Sequence, residues 1–163
     1  MTALVTAGIT IRATPEQVYA ALVDWESQGA WIPLTTVRVT EGDGGVGSVV
    51  EAVTGVGPAS FVDVMRVEAL EPPYTIRVMH VGKLVRGPGV FRCVRRGDGA
   101  TDLEWRERLE LPGGKAGQLG WPLVRPGAEA SLKWGLRRRR GGWNPPPGSA
   151  GTAAWCGGGL RPR

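Results

Sequence analysis

The chain has 163 residues and two cysteines, a length that allows one domain whose core needs no disulfide framework. Its formal net charge is +5, but six arginines in the last 27 residues supply this excess, because the first 136 residues hold 14 basic and 15 acidic side chains. The distribution excludes a basic groove spread across the fold, and the lack of a long apolar run or a leader-like start argues against membrane insertion and predicts a cytoplasmic protein.

The chain begins with a predicted strand that leads into a capped helix. Ile9–Thr14 alternate between apolar and polar residues, which is the period of a strand with one covered face. Thr14 offers a hydroxyl to the free amides of a helix start, and Pro15 fits the first helical position. We therefore predict a short helix that ends at Asp24-Trp25 and is followed by a second short helix over residues 26–31.

Six strand-like segments follow, separated by short turns rich in glycine or proline. They cover residues 36–41, 47–55, 61–70, 74–81, 85–96 and 101–111. The glycine-rich turn at 42–47 joins the first two as a hairpin. Because the segments follow one another with short links, they predict an antiparallel meander rather than βαβ units.

The last part of the sequence changes character twice. Helical spacing returns from about Gly120 to Arg139, which predicts a long C-terminal helix. Residues 141–163 are rich in glycine, proline and alanine without a period, so we predict a folded domain over residues 1–140 and a disordered tail. A frameshift in a GC-rich gene is an alternative origin of this tail. The run Arg137–Arg140 could contact phosphates, but such runs at helix ends are usually solvated, which disfavours a nucleic-acid partner.

Strand alternation points two chemically active side chains toward one interior. The odd positions of 101–111 are apolar except for Glu107, and His80 shares a face with apolar neighbours of its own strand. In the functional interpretation, the two residues orient a ligand or transfer protons as catalytic acid and base. In the structural interpretation, each is a buried polar group satisfied by a neighbour, with Glu107 pairing with Arg66, Arg77 or His80. The sequence leaves both interpretations open.

The order of elements and several motifs resemble the START-like, or SRPBCC, superfamily, and within it the polyketide cyclase/dehydrase branch with its uncharacterised actinobacterial-type members. This resemblance implies an α+β, helix-grip fold: a curved antiparallel sheet of about seven strands around a long C-terminal helix, with two short helices after the first strand. The motifs that carry it are Thr14–Tyr19 with Asp24-Trp25, Met65–Val67, Glu71–Pro73, His80–Gly87, Trp105–Leu109 and Leu119–Pro126.

The resemblance also implies a hydrophobic cavity between sheet and helix, in which family members bind lipids, sterols, polyketides or aromatic metabolites. We expect a small hydrophobic ligand; the alternative is a cyclase or dehydrase that uses His80 and Glu107 for acid–base chemistry. No cofactor or metal is expected, because one histidine and one inward carboxylate make a poor metal site. Monomer and homodimer both remain open. The predicted ligand-binding residues are Tyr19, Trp25, Trp31, Met65, Val78, Phe91, Trp105, Leu109, Trp121 and Leu132.

Overall fold

The computed structural model describes residues 2–83 and 85–110, which form a seven-stranded antiparallel sheet with one α-helix and two 3-10 helices. The elements, in chain order, are β1 (Thr2–Ile11), α1 (Pro15–Val23), a 3-10 helix (Glu26–Ala30), β2 (Thr35–Glu41), β3 (Val49–Thr54), a second 3-10 helix (Gly57–Ala59), β4 (Phe61–Glu71), β5 (Thr75–Val81), β6 (Arg86–Arg95) and β7 (Thr101–Glu110).

The strands lie in the order β1-β7-β6-β5-β4-β3-β2, so β2 to β7 are consecutive neighbours and β1 pairs with the last of them. The predicted antiparallel meander is therefore confirmed, as are the two short helices between the first two strands. The predicted C-terminal helix, the ligand-binding candidates Trp121 and Leu132, and the tail over 141–163 lie outside the described residues.

The first strand is longer than the sequence pattern predicts. The alternation that indicates a strand starts at Ile9, whereas β1 begins at Thr2 and pairs with β7 from Thr2 opposite Glu110 to Ile11 opposite Thr101. Its early residues are short or of mixed polarity, so their own propensity is weak. Pairing with β7 supplies the missing hydrogen bonds, and this long-range contact is invisible to a local pattern.

The start of α1 is the capping box that the sequence predicts. The Thr14 hydroxyl accepts a hydrogen bond from the Gln17 backbone N–H at 3.4 Å, and the Gln17 side chain accepts one from the Thr14 N–H at 3.1 Å. Past the end of α1, the Trp25 indole N–H donates to the Gly44 carbonyl at 2.9 Å and so ties the helix to the β2–β3 turn. Gly44 has a φ of +89°, which glycine adopts without strain.

One face of the sheet is buried, and α1 covers one end of it by packing against β6 and β7. We call this part the helix end and define it by Tyr19 on α1, by Cys93 and Leu103 on the strands that α1 contacts, and by Ile76 on the neighbouring strand β5. Ile76 and Leu103 are each 1% exposed. The Thr101 hydroxyl fixes the incoming chain by donating to the Ala13 carbonyl at 2.7 Å. The helix end is thus an apolar core with its entering loop bonded to the sheet.

Candidate functional site

The other end of the buried face holds the two side chains that the sequence singles out. His80 on β5 pairs in register with Gly87 on β6, and Glu107 on β7 pairs with Gly89 of the same strand. One strand therefore separates the imidazole from the carboxylate. Because β6 carries only glycines at these two inward positions, the side chains meet above it, with His80 Nε2 3.5 Å from Glu107 Oε1.

A third residue, Asp63 on β4, completes this cluster and is absent from the sequence-based candidates. Its two carboxylate oxygens lie 2.9 and 3.0 Å from His80 Nδ1. The side chains of Asp63 and Glu107 are 15% and 13% exposed, while that of His80 is only 3% exposed. We call Asp63, His80 and Glu107 the polar cluster, and the part of the face around it the histidine end.

The two carboxylates decide the charge of the imidazole. Burial lowers the pKa of His80. The hydrogen bond with Asp63 and the nearby carboxylate of Glu107 outweigh the effect of burial and raise the pKa to about 9. At neutral pH the ring is therefore a cation whose Nδ1–H donates to Asp63. Its Nε2–H has no hydrogen-bond partner among the described residues, because the approach of Glu107 is an ion-pair distance rather than a hydrogen bond.

Glu107 is held from its other side by an aromatic pair. The Trp105 indole N–H donates to Glu107 Oε1 at 2.9 Å, and the Trp105 ring contacts Phe91 with the ring centroids 4.5 Å apart and a 41° tilt. Of the three partners considered for Glu107, the structure brings His80 to its side; Arg77 pairs with Glu71 instead. The carboxylate thus lies at the border between the polar cluster and an aromatic surface.

The glycines of β6 create the room in which the polar cluster lies. A Cβ at Gly89 would lie 3.0 Å from His80 Nε2 and 3.0 Å from a Val78 methyl carbon, so a larger residue would push against the imidazole. Gly87 has a φ of +124°, and a Cβ there would clash with the Arg108 carbonyl oxygen. Both positions therefore require glycine, one for the ring and one for the backbone.

The other predicted ligand-binding residues fall into groups. The first group is buried on the same face as His80 and consists of Val78, Phe91, Trp105 and Leu109, and the partly buried Met65 lies opposite His80 in register.

The second group lies outside the strands. Tyr19 and Trp31 are buried, and their hydroxyl and indole N–H have no partner in the described part of the chain. Burial raises the pKa of the Tyr19 phenol. Trp25 lies at the β2–β3 turn, where its N–H is already used. Their roles in ligand binding remain predictions.

A groove of about 870 Å³ lies on the opposite, outward face of β1, β6 and β7. Charged side chains such as Glu104, Arg106 and Arg108 contribute to its lining, and it is open to solvent. The outward groove lacks the apolar enclosure that a hydrophobic ligand needs.

Within residues 2–83 and 85–110, no group of His, Cys, Asp and Glu has an arrangement suited to a metal ion, and no helix is long and apolar enough to cross a membrane.

The chain matches a known protein family, and its fold is similar to that of several solved structures. Residues 2–140 match the family model described as polyketide cyclase / dehydrase and lipid transport. No curated protein sequence matches the chain. Three solved structures are similar at low identity. The protein TTHA0849 from Thermus thermophilus has a TM-score of 0.71 and 20% identity, and the match covers 83% of this chain and 92% of that one. The Zhui aromatase/cyclase from a Streptomyces species has a TM-score of 0.70 and 18% identity, with 87% of this chain and 97% of that one covered, and a START superfamily protein from Mycobacterium smegmatis has a TM-score of 0.65 and 18% identity, with 85% and 97% covered in the same order. The predicted START-like sheet is confirmed.

Proposed function

Because the chain belongs to the polyketide cyclase/dehydrase and lipid transport family, we propose that it binds a small hydrophobic ligand, aromatic, polyketide-like or lipid, against the inward face of its sheet. The observation that carries this proposal is the polar cluster itself. Two carboxylates and an imidazolium cost free energy when they are removed from water, and an apolar core of equal volume would stabilise the fold at least as well. A cluster of titratable groups at such a place is a candidate for ligand contact.

The surroundings of the cluster support an aromatic ligand. Phe91, Trp105 and Val78 form an apolar surface next to Glu107. Binding pockets for small molecules combine such apolar walls with a few placed polar groups. The outward groove is open to solvent and is lined by charged as well as apolar residues, so it encloses the proposed ligand less well.

Acid–base catalysis is the second candidate, and the position of His80 between two carboxylates favours it. A protonated imidazole is a poor base near neutral pH but can donate a proton, and Glu107 can accept one. One of the similar structures is that of an aromatase/cyclase. A cyclase or dehydrase of this type would turn over a polyketide with a pH dependence that the exchange Glu107→Gln alters, whereas a carrier would bind the molecule and release it unchanged.

The remaining predictions join this proposal. We propose that residues 1–140 are one ligand-binding domain in a cytoplasmic protein that acts as a monomer or homodimer. Trp121 and Leu132, from the chain beyond β7, are proposed to complete the wall of the binding site. The tail over 141–163 is proposed to lie outside this domain.

Calorimetric titration of the full chain with 2-naphthol tests the proposal. We expect saturable binding at one molecule per chain, and we expect the exchange Gly89→Leu to weaken it by at least about tenfold, because the new side chain occupies the space beside His80. Val90→Leu is the matched control, since Val90 is the next residue of β6 and points to the outward face. Absence of binding to the unaltered protein, or equal loss in the control, would contradict the proposal.

A further inference from the structure

The polar cluster contains one unused donor and one under-used acceptor on facing groups. The Nε2–H of His80 has no hydrogen-bond partner within the described part of the chain, although the side chain is only 3% exposed. Glu107 accepts one hydrogen bond there, from the Trp105 indole to Oε1. The 3.5 Å between Nε2 and Oε1 is too long for a good direct hydrogen bond. An oxygen atom placed at about 2.8 Å from both atoms would bridge them.

The chemistry of this gap selects one kind of ligand group. The group must accept from the Nε2–H of His80 and donate to the carboxylate of Glu107, and a hydroxyl does both with one oxygen atom. An ether or ketone oxygen accepts only, so it would offer Glu107 no hydrogen bond beyond the one from Trp105. A carboxylate would bring a third negative charge next to Asp63 and Glu107, against one imidazolium. An ammonium group would be repelled by the imidazolium and cannot accept.

We infer that the polar cluster binds a hydroxyl group of the ligand and selects phenols, enols or alcohols over ethers and carboxylates of the same shape. The inference rests on the proposed function, because it names the polar part of the molecule that the inward face binds. Asp63 acts in this arrangement as a positioning residue. It fixes the imidazole plane through Nδ1 and keeps the ring protonated, so that Nε2 carries the hydrogen that the ligand accepts.

Three naphthalenes that differ in one substituent separate the inference from the proposed function. Calorimetric titration of the full chain at about pH 7 compares 2-naphthol, 2-methoxynaphthalene and 2-naphthoate. We expect 2-naphthol to bind at least about tenfold more tightly than the methyl ether, and the carboxylate to bind most weakly, because a site built around a hydroxyl leaves polar groups unpaired with the analogues. Binding of all three with equal affinity would overturn the inference and leave the proposed function standing. Binding of none would contradict the proposed function.

Two variants assign the selectivity to the polar cluster. In Glu107→Gln we expect the preference for 2-naphthol over its methyl ether to fall to about threefold or less, while the ether keeps its affinity. Glu104→Gln is the control, because Glu104 lies on the same strand, faces outward and pairs with Arg106. An unchanged preference in Glu107→Gln would overturn the inference. If that variant fails to fold, the three-ligand comparison on the unaltered protein still decides.

The positioning role of Asp63 has its own spectroscopic readout. His80 is the one histidine in the sequence, so its imidazole NMR signals need no assignment among several residues. In Asp63→Asn we expect the pKa of His80 to fall and the preference for 2-naphthol to shrink with it. A residue that served folding alone would change the midpoint of unfolding and leave the selectivity in place. That outcome would remove Asp63 from the proposal.

Discussion

The two ends of the buried sheet face differ in what their side chains can do. At the helix end, Cys93 and Leu103 lie on the two strands that α1 contacts, Ile76 lies on the neighbouring strand β5, and all three offer only apolar contact. At the histidine end, the same three strands β5, β6 and β7 carry His80, glycine and Glu107 at their inward positions. The strands are continuous from one end to the other, so the two ends differ in the side chains that the strands carry and in the cover that α1 gives to the helix end.

This difference separates folding from function within one sheet. Apolar burial at the helix end contributes stability roughly in proportion to the area removed from water. At the histidine end, the buried charges cost desolvation and the glycines contribute no packing. At the histidine end, Asp63 and Trp105 hold their partners in place, yet the Nε2–H of His80 has no partner among the described residues, and a ligand explains this better than core packing does.

The largest effect is expected at the helix end. Leu103 is 1% exposed, so Leu103→Ala should lower the free energy of unfolding by about 4 kcal/mol through lost burial and a residual cavity. Urea denaturation followed by circular dichroism measures it. Val94→Ala is the control, because Val94 is 48% exposed on the outward face of β6, and we expect it to change stability by less than about 0.5 kcal/mol. A similar loss in both variants would remove the contrast between core and surface.

The next effect is a pH dependence that comes from the histidine end. Because the folded pKa of His80 is raised to about 9 from 6.5, the folded state binds the proton more tightly than the unfolded chain. The resulting stability is fully present below pH 6.5 and is lost as the pH rises through about 9. The expected loss is about 3 kcal/mol. Urea denaturation at intervals between about pH 6 and pH 10 measures it.

Asp63→Asn is the matched control for this pH dependence. The exchange preserves the shape of the side chain and removes the charge that holds the imidazole protonated. We therefore expect a flatter profile between pH 6.5 and about 9 in the variant than in the unaltered protein. Parallel profiles for the two proteins would show that the pH dependence arises elsewhere and would detach it from the polar cluster.

The smallest effect concerns Trp25, which is predicted to bind ligand but whose indole N–H is bonded within the fold. Its indole N–H donates to the Gly44 carbonyl and its ring is buried, so Trp25→Phe should lower the free energy of unfolding by about 2 kcal/mol through one lost hydrogen bond and the buried ring atoms that it removes. Because that bond lies at the β2–β3 turn, we expect the affinity for 2-naphthol to change by less than about twofold. A loss of affinity without a loss of stability would show that Trp25 contributes to ligand binding rather than to the stability of the fold.

The strands that the sequence predicts best are those with one covered face. In β7, residues 103, 105, 107 and 109 alternate cleanly with charged neighbours, so the inward position of Glu107 could be predicted from the sequence. The capped helix α1 follows from Thr14 and Pro15 for an equally local reason. Both depend on interactions among residues close in the chain.

The inward position of Asp63 could not be predicted in the same way, for two physical reasons. Val62 and Val64 flank it, so the apolar side chains of β4 alternate with the wrong parity around the carboxylate. The register of β4 against β5 also shifts between Val67 and Ala69, and a bulge of this kind changes which residues face inward along one strand. The partnership of Asp63 with His80 arises from strand pairing, which a local pattern does not encode.

The most direct test of the polar cluster as the ligand site is NMR of the His80 imidazole during a titration with 2-naphthol. Without ligand, we expect ring signals that titrate with a pKa of about 9. With 2-naphthol at about pH 7, we expect the Nε2 resonance to shift and to saturate at one molecule per chain, while Nδ1, bonded to Asp63, shifts less. Saturable binding that leaves the Nε2 resonance unchanged would show that the ligand binds away from the polar cluster.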